Sequence, residues 1–183
     1  DDIDPAQTDD NYPGKNFNVV TWTGNRTSNS TTNAITGVGF QPDLVWLKFR
    51  EQTYDWRLVD SSRGVTTTVE QTEANGLYQF DSDGFTVRGD NNYNYNGGAF
   101  IGYCWRANGG TTASNGNGSI TSTVQANDEA GFSIILWTAS GSNGSIGHGL
   151  SAKPDFHLIK KRDNSSSGWA AYHKSLGATK YLR

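Results

Sequence analysis

The segment Asp90-Asn91-Asn92-Tyr93-Asn94-Tyr95-Asn96 interleaves phenol rings with amides. Rings stack on the apolar faces of sugars, and amides both donate and accept hydrogen bonds. The pattern predicts a glycan-contact loop built from Asn91, Asn92, Tyr93, Asn94 and Tyr95, with Tyr54 as a further ring. Carboxylates offer a second chemistry. Glycoside hydrolysis needs two of them flanking one bond, and Asp60, Asp81, Asp83 and Asp90 are the candidates. Asp81 and Asp83 flank a predicted turn, where Asp is favoured because its oxygens bind nearby backbone N–H groups. Calcium would need further oxygen donors, and the spacing does not match the Asp-x-Asp-x-Asp-Gly loop. His148, His157 and His173 have no Cys or acid at zinc-ligand spacing. There is no Gly-x-Ser-x-Gly elbow, phosphate loop or dinucleotide fingerprint. The sequence thus predicts no catalytic residue, no metal site and no cofactor.

The scaffold that must hold these residues repeats itself. Phe17-Asn18-Val19-Val20-Thr21-Trp22-Thr23-Gly24 returns as Phe132-Ser133-Ile134-Ile135-Leu136-Trp137-Thr138-Ala139. Pro42-Asp43-Leu44-Val45-Trp46-Leu47 returns as Pro154-Asp155-Phe156-His157-Leu158-Ile159. Trp56 aligns with Trp169, and Arg63-Gly64-Val65-Thr66 with Leu176-Gly177-Ala178-Thr179. Such self-similarity fixes the architecture before any single element does. Tryptophans at matching places in both copies predict that Trp22, Trp56, Trp137 and Trp169 pack in cores. The match runs to Arg183, which falls opposite Glu70, about midway through the unit. Half a unit exposes Phe132, Ile134, Leu136, Phe156, Leu158 and Ile159, so the first unit or another subunit is expected to cover them. A chain without Met, even at position 1, is expected of a processed protein or a piece of a longer one.

The elements read as short strands. Residues 17–23, 44–49, 56–59 and 99–105 are apolar-patterned runs, with residues 65–69 a further candidate. Leu77-Tyr78-Gln79-Phe80 and Phe85-Thr86-Val87 flank an Asp-Gly pair, a hairpin signature. Only residues 68–75 could form a short helix. The reading is all-β: an antiparallel sandwich-like unit with a partial second copy. Its parts are an acidic extended arm over 1–15, a first β unit over 16–106, a Gly/Asn/Ser/Thr-rich linker over 107–130, and a partial second β unit over 131–183.

Composition agrees. The chain has 183 residues, 12% of them aromatic, with 6 Trp and 22 Gly. Large rings offset a modest 34% hydrophobic content. A net charge of -3 gives no case for nucleic acid. No run of about 18 apolar residues predicts a membrane-spanning helix, and no segment reads as a signal peptide. One cysteine, Cys104, rules out an intrachain disulfide framework.

Several blocks carry a resemblance together. They are Gly39-Phe40-Gln41-Pro42-Asp43-Leu44-Val45-Trp46-Leu47-Lys48, Val59-Asp60-Ser61-Ser62-Arg63-Gly64, Phe80-Asp81-Ser82-Asp83-Gly84-Phe85 and Tyr103-Cys104-Trp105-Arg106-Ala107. In the second copy Gly147-His148-Gly149-Leu150 and Tyr172-His173-Lys174-Ser175-Leu176-Gly177 join them. In that order they resemble an uncharacterised repeated module of structural, often tail-fibre-like, proteins of marine tailed bacteriophages. The resemblance implies a virion component assembled in the host cytoplasm, not an enzyme. Its partners would be other virion proteins, a homo-oligomer with a trimer favoured, and glycans of the host surface. A capsid decoration or cement protein is the first alternative, and a glycan-degrading enzyme domain the second.

Overall fold

The computed structural model describes residues 12–65, 75–163, 168–177 and 180–182. The first unit contains β1 (Phe17–Thr23), β2 (Thr32–Thr36), β3 (Leu44–Phe49), β4 (Arg57–Asp60), β5 (Gly76–Asp81), β6 (Gly84–Arg88), α1 (Asn91–Asn94) and β7 (Ala99–Trp105). The chain continues through β8 (Ala113–Asn115), β9 (Ser122–Asn127), β10 (Phe132–Trp137), β11 (Phe156–Ile159) and β12 (Ala170–His173). The protein is all-β, as its strand-period patterning predicts, and its sheets are antiparallel.

Two sheets pack face to face in the first unit. One has the order β1-β7-β3-β4 and the other β2-β6-β5. Strand alternation sends Val20, Val45, Leu47, Val59 and Cys104 inward from the first sheet. They meet Ile35, Leu77, Phe85 and Val87 from the second. β7 is one of the two inner strands, and its inward residues are Phe100, Gly102 and Cys104. Trp22 lies over Gly102, where an added Cβ would stand 3.2 Å from the indole. The same indole stacks on Phe100 at 5.3 Å between centroids and meets Phe85 edge-on at 5.5 Å. Each large side chain buried in this way contributes about 1.5–3 kcal/mol.

The Asp-Gly hairpin forms as predicted, with Asp81 paired to Gly84. Gly84 has φ +152°, and a Cβ there would come within 1.9 Å of the Ile35 carbonyl oxygen. Asp83 in the turn accepts from the backbone N–H groups of Gly37 at 3.1 Å and Gly39 at 2.6 Å. This carboxylate therefore ties the hairpin to the segment between β2 and β3.

A second carboxylate joins more of the chain. Asp43 is fully buried. It accepts from the Ser61 hydroxyl at 2.7 Å and from the N–H groups of Ala107, Gly109 and Gly110 at 2.7, 2.8 and 2.6 Å. Gln125, also fully buried, donates to Ser61 and Ser62 at 2.9 and 2.6 Å and accepts from Gly110 at 3.0 Å. In this way β9 is locked to the first unit.

That lock corrects the linker reading of residues 107–130. β8 and β9 lie inside this stretch, and β9 pairs with β10 from Asn127↔Phe132 to Ser122↔Trp137. Gly and Asn dominate its composition, but Val124 and Gln125 are buried and set the pairing. Other readings change too. Residues 1–11 of the acidic arm lie outside the described residues, and Pro13–Lys15 form a 3₁₀ turn instead of extended chain. Pro13 presets the φ that such a turn needs. The candidate strand 65–69 and helix 68–75 fall outside the described residues except for Val65 and Asn75, which carry neither. Trp56 is not a core residue, being 46% exposed, and Trp169 is 38% exposed.

The repeat is preserved down to register. Leu44↔Asp60 through Leu47↔Arg57 in β3–β4 returns as Phe156↔His173 through Ile159↔Ala170 in β11–β12. The bond from Ser61 N–H to the Asp43 carbonyl, 2.9 Å, returns as Lys174 N–H to Asp155, 2.8 Å. The surroundings differ. Asp155 is exposed and its carboxylate meets the Lys174 ammonium at 2.5 Å.

This contrast yields a test by chemical denaturation. Asp43→Ala leaves Ser61, Ala107 and Gly109 without this acceptor, Gly110 keeping Gln125, and should cost about 3 kcal/mol or more. Asp155→Ala, at the equivalent but exposed position, should cost less than about 1 kcal/mol.

Candidate binding surface

The predicted glycan loop is a capped helical turn. Asp90 accepts from the Asn92 N–H at 2.7 Å and caps α1. Asp is a preferred N-cap because its oxygen satisfies a first-turn donor. The turn buries Tyr93 completely, inside the core between the sheets. Tyr93 is therefore a packing residue, and a sugar cannot stack on it. Its carbonyl accepts from the Trp22 indole N–H at 3.1 Å.

The amides are committed as well. Asn94 is fully buried. It exchanges hydrogen bonds with Asn25 at 2.9 Å each way and accepts from Asn33 at 3.1 Å. Asn91 accepts from Arg26 at 2.7 Å, and Asn92 donates to Asp90 at 2.8 Å. Asn94, through Asn25 and Asn33, and Asn91, through Arg26, thus tie the β6–β7 connection to the β1–β2 segment, while Asn92 bonds within its own turn. Tyr54 and Tyr95 do reach the surface, 38% and 46% exposed. They flank the buried Phe49 ring at 5.6 and 5.5 Å. Of the six residues proposed, the fold brings these two together at one end of the first sheet.

A larger surface lies on the outer face of that sheet. Trp46 and Trp56 sit 5.1 Å apart, and Tyr103 is 6.4 and 6.1 Å from them. Trp105 follows Tyr103 at 6.5 Å, with Phe17 at 5.0 Å and Phe132 at 6.4 Å on its far side. Pairing dictates this row. Trp46 stands opposite Tyr103, and Phe17 opposite Trp105. Trp46, Trp56 and Phe17 are 38%, 46% and 39% exposed. The signal was present in the sequence. Trp46 alternates with Val45 and Leu47, and Tyr103 and Trp105 are two apart, so period two places them away from the core. A strip of rings on a rigid sheet offers large contact area at low entropic cost, to a sugar chain or to another protein.

The carboxylates considered for hydrolysis have other partners. Asp60 binds the Arg63 side chain and accepts from the Arg63 N–H at 2.8 Å, while Asp81 accepts from Thr86 at 2.7 Å. With Asp83 and Asp90 also engaged by backbone, the four carboxylates weighed for hydrolysis each serve local structure. Among the described residues no three of His, Cys, Asp or Glu gather as metal ligands would. His148 and His173 each accept from a backbone N–H two residues on, and His157 stacks on Tyr172 at 4.7 Å. A polar cleft of about 470 Å³ has Lys15, Arg106, Asp128 and Glu129 among its lining residues. The backbone N–H and hydroxyl of Ser151 hold the Asp128 carboxyl below its ordinary range. Burial pushes the Cys104 thiol up to about 12.

Tyr93→Ala should lower stability by about 3–5 kcal/mol, as for other large core truncations. Tyr95→Ala should change it by less than about 1 kcal/mol, and urea unfolding separates the two. Cys104 should resist thiol reagents at neutral pH in the native protein and react only on unfolding, because the thiolate is the nucleophile. Mass spectrometry of alkylated protein reads this out.

Residues 12–183 match a family described as a domain of unknown function, DUF7483. No curated protein and no solved structure matches the chain.

Proposed function

Because the chain belongs to the DUF7483 family, a domain of unknown function, its role must be read from its surface, and we propose that it is a non-catalytic structural module of a virion. In this reading it sits in a tail fibre or tail-associated part and adheres through exposed aromatic side chains. The observation that carries the proposal is the ring strip Trp56, Trp46, Tyr103, Trp105 and Phe17 on one sheet face. Tryptophan and tyrosine in a rigid, partly solvated row are what contact surfaces use. The resemblance of its sequence blocks to tail-fibre-like proteins supplies the setting. The carboxylates bound into turns and caps support scaffold over catalysis.

Host glycans are the proposed ligand of the strip, with Tyr54 and Tyr95 a smaller ring pair at the sheet end. Other virion proteins are the proposed neighbours, with self-association into a trimer where the module forms part of a fibre. The strip replaces the 90–96 segment as the contact surface, because Tyr93 and Asn94 are buried.

The test is a Trp46→Ala, Trp56→Ala double variant. It should keep its thermal midpoint within about 3 °C, since neither ring belongs to the core cluster. Adsorption of particles to host cells, and binding to a glycan array, should fall at least about tenfold. Normal adsorption and array binding would overturn the adhesive part. Immunogold labelling on the head instead of the tail would replace the tail reading with that of a capsid decoration protein.

A further inference from the structure

The β11–β12 hairpin repeats β3–β4 in sequence and in register, but not in its surroundings. In the first unit β3 has two neighbours, β4 on one edge and β7 on the other. β11 has β12 on the edge that matches β4. Among the described residues no strand pairs with its other edge, the one that β7 fills on β3. The apolar side chains there are open: Phe156 is 54% exposed, Leu158 42% and Ile159 39%. A bare edge with apolar residues on both faces is a template for strand addition.

We propose that the open edge of β11 is a strand-acceptor site. Its occupant is an extended segment of a partner protein that pairs antiparallel and has the large–small alternation of Ala99–Trp105, which in this chain is itself held between β1 and β3. The first unit states what fits. There, Leu44, Val45, Trp46 and Leu47 pair with Trp105, Cys104, Tyr103 and Gly102. The same register sets large outward residues beside Phe156 and Leu158 and small inward ones beside His157 and Ile159. Charge adds a second requirement. β11 runs directly into Lys160, Lys161 and Arg162. Asp163 answers Lys161 at 3.7 Å. Antiparallel pairing lays the start of the incoming strand against these cations, so acidic residues just before it are favoured.

The probe is a synthetic peptide of residues 98–106 carrying Cys104→Ser, with two aspartates added at its N-terminus. It is titrated into the 183-residue chain. Hydrogen exchange at Phe156, His157, Leu158 and Ile159 should slow at least about tenfold on saturation. A peptide with two lysines in place of the aspartates should bind several-fold more weakly, with the difference lost in high salt. Leu158→Asp alters an exposed residue, so the thermal midpoint should hold while peptide affinity drops about tenfold. If the aspartate peptide leaves those amides unprotected, no strand-acceptor site exists. If they are protected without peptide, and more so as protein concentration rises, a second whole copy covers the edge and the proposed occupant is wrong. Equal affinity for both peptides would overturn the acidic flank.

Discussion

A carboxylate removed from water must be given donors, and the first unit is organised around one such demand. Asp43 is fully buried, and its oxygens receive one hydroxyl and three backbone N–H groups. Those donors come from the exit of β4 and from the exit of β7. Its own N–H reaches the Trp105 carbonyl at 2.7 Å. Ends of three strands are thus held at one point, next to the segment from which β3 starts. Gln125 extends the network by sharing the Gly110 N–H and both serines. A buried polar network of this kind is strong only when complete, because any member left without a partner keeps its desolvation cost. The orientation of β9 and β10 on the first unit follows from it.

The repeat shows what that network adds. Asp155 keeps the backbone bond of Asp43 but not its burial, and a lysine answers its charge in solvent. The same hairpin therefore exists in two contexts. In one it is the edge half of a four-stranded sheet covered by β2, β5 and β6. In the other, among the described residues, it is a two-stranded ribbon with Leu182 bridged to Ala171 on the far side of β12. Ribbons of two strands are marginal alone, so the local sequence specifies the pairing while its stability must come from neighbours.

Much of this was legible in residue order. Alternation located β1, β3 and β7 to within a residue, and Asp81 to Gly84 announced a hairpin. The all-β class and the copy relationship followed. The linker was misread because Gly and Asn outnumber the apolar residues there. The decisive residue, Gln125, is polar, and its hydrogen-bond partners Ser61, Ser62 and Gly110 lie more than 60 positions away or across a loop. The ring-and-amide segment misled for a related reason. Tyr, Asn and Asp suit a ligand loop and a capped turn equally by composition. Whether Tyr93 points to solvent depends on Trp22 and on both sheets. The aromatic strip was the reverse case: period two contained it, but tryptophan's usual burial concealed it.

The placement of β7 has a consequence for the order in which the chain can take shape. Among the described residues β1 pairs with β7 alone, Phe17 opposite Trp105, so these two paired strands lie at opposite ends of the unit. During synthesis β1 has no partner until the ribosome has released nearly the whole unit. The β3–β4 and β5–β6 hairpins face no such wait, since their pairings are local. Closing long loops is the slow part of such topologies. The nascent chain therefore carries Phe17, Val19 and Trp22 unpaired through most of its elongation, and the last strand made is the one that joins the sheet.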